Sequence, residues 1–349
     1  MVYNPLELRK HQFETLPMPL AYSGGDPAAW RQRAKEKIAE LLAMPVEKPE
    51  DDEFTVEWTR EHENCREIRF HFKSEPYARV PAHLLIPRGG LNLPLVICLQ
   101  GHSTGMHLSL GRNLEGEEDE SVKNSPHAYA LQCVERGMAA LTVELRGFGE
   151  NGGLPEDRNP NCRLLSGSAL LVGRTLQGER VWDITRTIDV ITDHLKEFDE
   201  GFDPQRIAVM GVSGGGITCF YSAIVDTRIA AAMPAACFCT YKDSIGLISH
   251  CTCNHIPHTA EYFDMGDLAG LIAPRPLVIV NGNRDRIFPL EGAVKQFAKT
   301  KEIYADLSAG GKCVHVIAEG GHDFYPLPAW DAFMAVTGWG HKIEPDESS

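Results

Sequence analysis

The rhythm of apolar positions changes twice along this chain. Residues 27 to 43 set Trp30, Ala34, Ile38, Leu41 and Leu42 on one side of a 3.6-residue repeat, which predicts a helix stopped by Pro45. Phe54 to Ile86 then alternates apolar and polar residues. This predicts three strands, about 54–61, 66–73 and 80–86, with a turn at Glu75-Pro76. From Leu95 the alternation gives way to continuous apolar runs at Leu95–Leu99, Ala139–Leu145, 206–210, 277–280 and 314–318, as in strands covered on both faces. Helical spacing returns between them: at 127–136, at 179–198 (Val181, Ile184, Ile188, Ile191, Leu195), after Ser213, near 291–304 and near 328–338. Alternating strands and helices predict an α/β fold with a mostly parallel, doubly covered sheet and an antiparallel start. Two insertions break the alternation. One is 103–126, whose acidic run Glu115-Gly116-Glu117-Glu118-Asp119-Glu120 reads as a solvated loop, and the other is 237–266. Both are expected at the carboxyl ends of strands, where ligand sites form in such sheets.

Composition narrows the function. The chain has 349 residues, 43% of them hydrophobic, enough for one large or two ordinary domains. A formal net charge of -14 argues against nucleic acid or an anionic membrane as partner. No run of 18 apolar residues is present, and Met1–Lys10 lacks the apolar core of a signal peptide, so a cytoplasmic protein is expected. Of the ten cysteines, Cys98, Cys133 and Cys219 fall in predicted elements and read as small packed hydrophobes, with free thiols expected in a reducing compartment. Composition leaves a homo-oligomer open.

One pentapeptide carries the chemistry. Gly211-Val212-Ser213-Gly214-Gly215 has an apolar run before it and a small, apolar-rich segment after it, the strand–turn–helix setting of a nucleophile elbow. A serine hydroxyl needs a base to take its proton and an acid to orient that base. In chain order these should follow the serine, each in a loop after a strand. Asp285, in the loop after strand 277–280, is the candidate acid. His322, after Gly320-Gly321 and strand 314–318, is the candidate base, and Asp323 is a weaker alternative acid because a neighbour in sequence reaches back to the ring poorly. The oxyanion hole is expected from the backbone N–H groups of Gly214 and of His102, in Leu99-Gln100-Gly101-His102. In the second insertion Cys237, Cys239, His250, Cys251, Cys253, His255 and His258 offer zinc-like ligands. Two Cys-x-Cys pairs lack the spacing of ordinary structural sites, so a packed loop with no metal and no cofactor is the preferred reading. Asn254 and His255 on that loop are candidate substrate contacts. Arg146, in Arg146-Gly147-Phe148-Gly149, is a third, weighed against a structural ion pair.

These pieces, together with His250-Cys251-Thr252-Cys253-Asn254-His255-Ile256-Pro257, Ala273-Pro274-Arg275-Pro276 and Phe288-Pro289, make the chain resemble the α/β-hydrolase superfamily. More narrowly it resembles the bacterial acetyl-xylan-esterase-like and dienelactone-hydrolase-like branch, over about residues 54–335. The resemblance implies an α/β-hydrolase fold, with residues 1–50 as an N-terminal helical extension and 51–349 as the catalytic domain. It implies Ser213, Asp285 and His322 as the triad, and a small ester, such as an acetylated sugar, as substrate. Two departures are visible. Dienelactone hydrolases carry cysteine where Ser213 stands, and the cephalosporin-C deacetylase group carries glutamine where Gly214 stands. Two other readings compete. One is a serine peptidase of the acylaminoacyl or dipeptidyl type, which usually needs an N-terminal propeller. The other is a metal-stabilised, non-catalytic binding protein on the same scaffold.

Overall fold

A computed structural model describes residues 4–152 and 161–341. The first three residues of the expected N-terminal extension and the last eight of the expected catalytic domain lie outside that range. Nine strands form one sheet: β1 (Thr55–Glu61), β2 (Cys65–Glu75), β3 (Ala78–Pro87), β4 (Leu93–Leu99), β5 (Ala139–Val143), β6 (Phe202–Val212), β7 (Ile229–Ala235), β8 (Leu277–Gly282) and β9 (Cys313–Ala318). Their order is β1-β2-β3-β5-β4-β6-β7-β8-β9. The pairs from β1 to β5 are antiparallel, and all pairs from β5 through β4 to β9 are parallel. The alternating segment therefore supplies the antiparallel start, and the continuous apolar runs supply the parallel part.

The apolar runs have a direct cause. Leu95, Ile97 and Leu99 of β4, with Ile207 and Val209 of β6, enter one core beneath the helices Pro27–Leu42, Leu176–Asp193, Gly214–Val225 and Leu290–Asp306. Val96, Cys98, Ala208 and Met210 enter a second core against the helices Tyr129–Glu135 and Pro326–Thr337. Each strand buries both faces, so alternation disappears. Cys98, Cys133 and Cys219 are fully buried in these cores, as small hydrophobes. Strand β7 is absent from the sequence prediction. Its Ile-Ala-Ala-Ala-Met-Pro-Ala sequence has weak strand propensity and a proline, and packing between β6 and β8 overrides both.

The N-terminal segment joins the first core. Asp26 caps the helix Pro27–Leu42 by accepting from the Ala28 and Ala29 N–H groups, and Trp30, Ala34, Ile38 and Leu42 are its buried face. This helix ends one turn before Pro45, where Ala43 adopts a left-handed conformation. An earlier helix, Pro5–Thr15, buries no residue and lies against insertion 237–266 through Phe13 and a Lys242–Glu14 ion pair of 2.8 Å. The acidic run 115–120 is largely exposed. Among the described residues no helix is long and apolar enough to cross a membrane.

The helix Gly214–Val225 starts without a spacer after β6 and runs close beneath the end of β4. A Cβ at Gly215 would fall inside the van der Waals envelope of the Leu99 and Gln100 carbonyl oxygens, both backbone atoms. Gly215→Ala is therefore expected to destabilise the fold by about 1–3 kcal/mol, read as a lower urea midpoint. An unchanged midpoint would mean that this contact yields freely.

Candidate active site

Ser213 is the pivot between β6 and the following helix, at φ 54° and ψ -117°. A non-glycine residue there is strained by about 1–3 kcal/mol. The surroundings hold it: the Ser213 N–H donates to the Ala235 carbonyl at 2.9 Å, and helix bonding begins at once, with Ile217 N–H donating to the Ser213 carbonyl at 2.9 Å. His322, in the loop after β9, brings Nε2 to 2.9 Å from Ser213 Oγ. Its Nδ1 stands 2.8 Å from Asp285 Oδ2, in the loop after β8. The other Asp285 oxygen accepts from the N–H groups of Ile287 at 2.7 Å and Phe288 at 3.0 Å. Burial opposes a charge on Asp285, but the His322 hydrogen bond and the two N–H donors outweigh it and hold the carboxyl below its ordinary value. An ionised Asp285 only accepts, so Nδ1 carries the proton and Nε2 is left to accept from the serine. Asp323 takes no part in this relay: it accepts from the Phe324 N–H at 2.7 Å and faces His127 at 3.7 Å.

Ser213 and His322 open onto a cleft of about 630 Å³, also lined by Gln100, Gly101, His102, His127, Tyr129, His250 and Asn254, and Asp285 is buried behind the His322 ring. The loop after β4 passes directly beside the elbow. The ring of His102 lies over Gly214 so closely that a Cβ there would come within 2.7 Å of its atoms. Among the described residues, neither the His102 nor the Gly214 N–H donates to a backbone carbonyl. Beneath that loop Glu144, which follows β5, is fully buried. It accepts from Gln100 Nε2 at 2.6 Å and from the Met106 N–H at 3.1 Å. Burial raises the Glu144 carboxyl to about 8, against the pull of those backbone donors.

No protein-family model matches the chain. A Bacillus subtilis (strain 168) protein named "Putative hydrolase YtaP" is 25% identical over 247 residues, covering 69% of this chain and 77% of the relative. Among solved structures, one described as a "putative acetyl xylan esterase" from Bacteroides fragilis NCTC 9343 superposes with a TM-score of 0.75 at 17% identity, covering 91% of this chain and 83% of the other. A glucuronoyl esterase from Solibacter usitatus gives 0.67 at 14% identity, with 92% and 96% covered. An acetyl xylan esterase from Paenibacillus sp. R4 gives 0.57 at 18%, with 94% and 99% covered. The chain has the α/β-hydrolase fold. Ser213 occupies the strand-to-helix turn at which an α/β-hydrolase carries a nucleophile, and Asp285 and His322 follow in the order that fold uses.

The other sequence candidates separate. Asn254 is buried and lines the cleft. His255 is exposed and faces a different groove, of about 450 Å³, shared with Arg9, Phe13 and His258. Arg146 is outside the cleft: its guanidinium makes a two-bond pair with Asp183 at 2.8 Å and meets Glu75 at 2.7 Å, so the ion-pair alternative describes it and the substrate contact does not. Cys237 packs under Gly216, and Cys239 donates to the Pro289 carbonyl at 3.4 Å, both within the first core. Cys251 and Cys253 gather instead with His102 and with Cys162, at the start of the helix Cys162–Leu171. Sequence reasoning passed over His127, Tyr129 and His250 as cleft residues. His250 is packed edge-on to Phe288, and burial pushes its imidazole down to about 4. Position after β4 and β7 flags the segments that carry them, but not these side chains.

Glu144 gives a pH signature. Its proton is retained in the folded state up to about 8 and released from an unfolded carboxyl near 4.5, so the folded state binds more protons in between. Stability is therefore lost as pH rises through that window. Glu144→Gln is expected to flatten the fall in melting temperature between about pH 5 and 8, followed by thermal unfolding in a series of buffers. An identical fall in the variant would remove Glu144 as its source.

Proposed function

We propose that this protein is a serine carboxylic-ester hydrolase acting on small neutral esters, with acetylated sugars as the leading substrate class. The Ser213–His322–Asp285 chain, hydrogen-bonded at 2.9 and 2.8 Å on a strained elbow, carries the reading. Ser213 Oγ attacks the acyl carbon as His322 Nε2 takes its proton. Asp285 fixes the ring and stabilises its charged form. The carbonyl oxygen, now an oxyanion, is held by the His102 and Gly214 N–H groups at the positive end of the helix Gly214–Val225. As the tetrahedral adduct collapses, the C–O bond to the alcohol breaks and His322 returns its proton to the leaving oxygen. The acyl group then sits on Ser213. A water, activated by the same imidazole, releases the acid by the reverse sequence.

Supporting the substrate class, the described cleft lining holds one carboxylate, Asp323, and neither lysine nor arginine. With a net charge of -14, the molecule draws in no anion over long range. The structural neighbours are named acetyl xylan and glucuronoyl esterases, in keeping with a carbohydrate ester.

Ser213→Ala and His322→Ala are each expected to lower turnover of an aryl acetate by about 10⁴-fold or more, with the double variant no worse, because the relay acts as a unit. Circular dichroism should be unchanged, and a fluorophosphonate should label Ser213 alone. Retained turnover or an unlabelled serine would remove the assignment. Across a series of acyl lengths on one alcohol, kcat/KM should be highest for acetate. A maximum at longer chains would replace the acetyl preference.

A further inference from the structure

His102, Cys162, Cys251 and Cys253 come from three separate stretches of chain, yet their ligand atoms all lie within 4.8 Å of one another. His102 Nε2 is 3.1 Å from Cys253 Sγ. In a tetrahedral zinc site with Zn–S near 2.3 Å the ligand atoms stand about 3.8 Å apart, so the cluster needs only slight contraction to close around an ion. We propose that these four residues bind one zinc ion as a closed Cys₃His site. Three soft sulfurs and one imidazole select zinc over hard cations. All four positions are filled by protein, so the ion would be structural and would not activate water.

A second observation, independent of the ligand spacing, is the charge beside the cluster. Arg180 is completely buried, with its guanidinium over the Phe148 ring. Its Nη2 donates to Cys162 Sγ at 3.0 Å, and Nε and Nη2 donate to the Arg146 carbonyl at 2.9 and 2.6 Å. Among the described residues no carboxylate lies within ion-pair distance of it. A buried cation without a counter-charge is unfavourable. Three thiolates, a neutral imidazole and Zn²⁺ sum to one negative charge, which matches the single guanidinium. Three protonated thiols would leave Arg180 uncompensated among the described residues. Arg180 thus fits the role of the outer hydrogen-bond donor that metal thiolates commonly carry.

The ion would clip together the loop after β4, the start of the helix Cys162–Leu171 and the turn Thr252–Asn254. Such a site would depart from the metal-free loop that the Cys-x-Cys spacing leads one to expect. The other two ligands, His102 and Cys162, lie about 150 and 90 residues upstream of Cys251, where no spacing rule looks. His102 would ligate through Nε2, and its backbone N–H would remain free at the oxyanion position.

Metal content of the purified full-length chain, expressed with added zinc and freed of loose metal by gel filtration, tests this. We expect about one zinc per chain by plasma mass spectrometry. Cys162→Ser and Cys253→Ser should each lose most of it, and Cys237→Ser, at a buried cysteine outside the cluster, should keep it. Should the cluster variants fail to fold, cobalt substitution of the wild-type protein decides: the expected readout is a thiolate-to-cobalt charge-transfer band with the intense d–d bands of a tetrahedral site. Substoichiometric zinc with no such spectrum would overturn the proposal. So would a disulfide between any two of Cys162, Cys251 and Cys253, found by peptide mapping of the unreduced chain. None of these readouts depends on ester turnover, so the metal site and the hydrolase reading fail separately.

Discussion

The backbone conformation of Ser213 is the constraint on which the site depends. A serine at positive φ is held only because its neighbours leave no alternative: β6 ends at Val212, Ala235 of β7 takes its N–H, and a helix begins at the next residue. The sheet order does the rest. With β4 beside β6, the loop carrying His102 must pass the elbow, and with β8 beside β9, the loops carrying Asp285 and His322 must be neighbours. Residues separated by more than two hundred positions then meet at one carboxyl edge. The glycine after the serine is required by the imidazole lying over it. One wall of the cleft beside Ser213 therefore comes from a different strand's loop.

Below that edge lies a layer of buried polar and charged side chains. Glu144 supports the loop after β4, Arg146 ties the β2–β3 turn to the helix Leu176–Asp193 through Glu75 and Asp183, and the Arg146 carbonyl in turn receives Arg180. Such groups are costly to bury unless fully paired, and what they return is fixed geometry more than net stability. The loop after β4, which carries His102, rests on this layer through Glu144.

How much of this was legible in the sequence follows from the range of each interaction. Strands β1 to β3 and the long helices announce themselves through a local period, and β4, β5, β6, β8 and β9 through unbroken apolar runs, because they bury both faces. The elbow is legible because strain and close approach demand glycine at particular offsets. Asp285 and His322 are legible because chain order and strand ends are fixed by the topology. Strand β7 escaped because its pairing is tertiary and its residues are indifferent. Arg146 is ambiguous in the sequence because a guanidinium after a strand looks the same whether it faces a ligand or Asp183. The partition of the cysteines, with 237 and 239 going to the core and 251 and 253 joining 162, has no local signature.

The helix Pro5–Thr15 has a consequence for the molecule's modularity. Eleven residues with no fully buried side chain are too short to hold a helix alone in water, so its order is borrowed from the insertion it touches. It forms one wall of the groove that contains His255, while Ser213, Asp285 and His322 rest on the sheet. Shortening the chain to Pro17 would therefore open that groove on one side without removing a residue that lines the cleft, and the two hollows would stay joined through Asn254, which lines both.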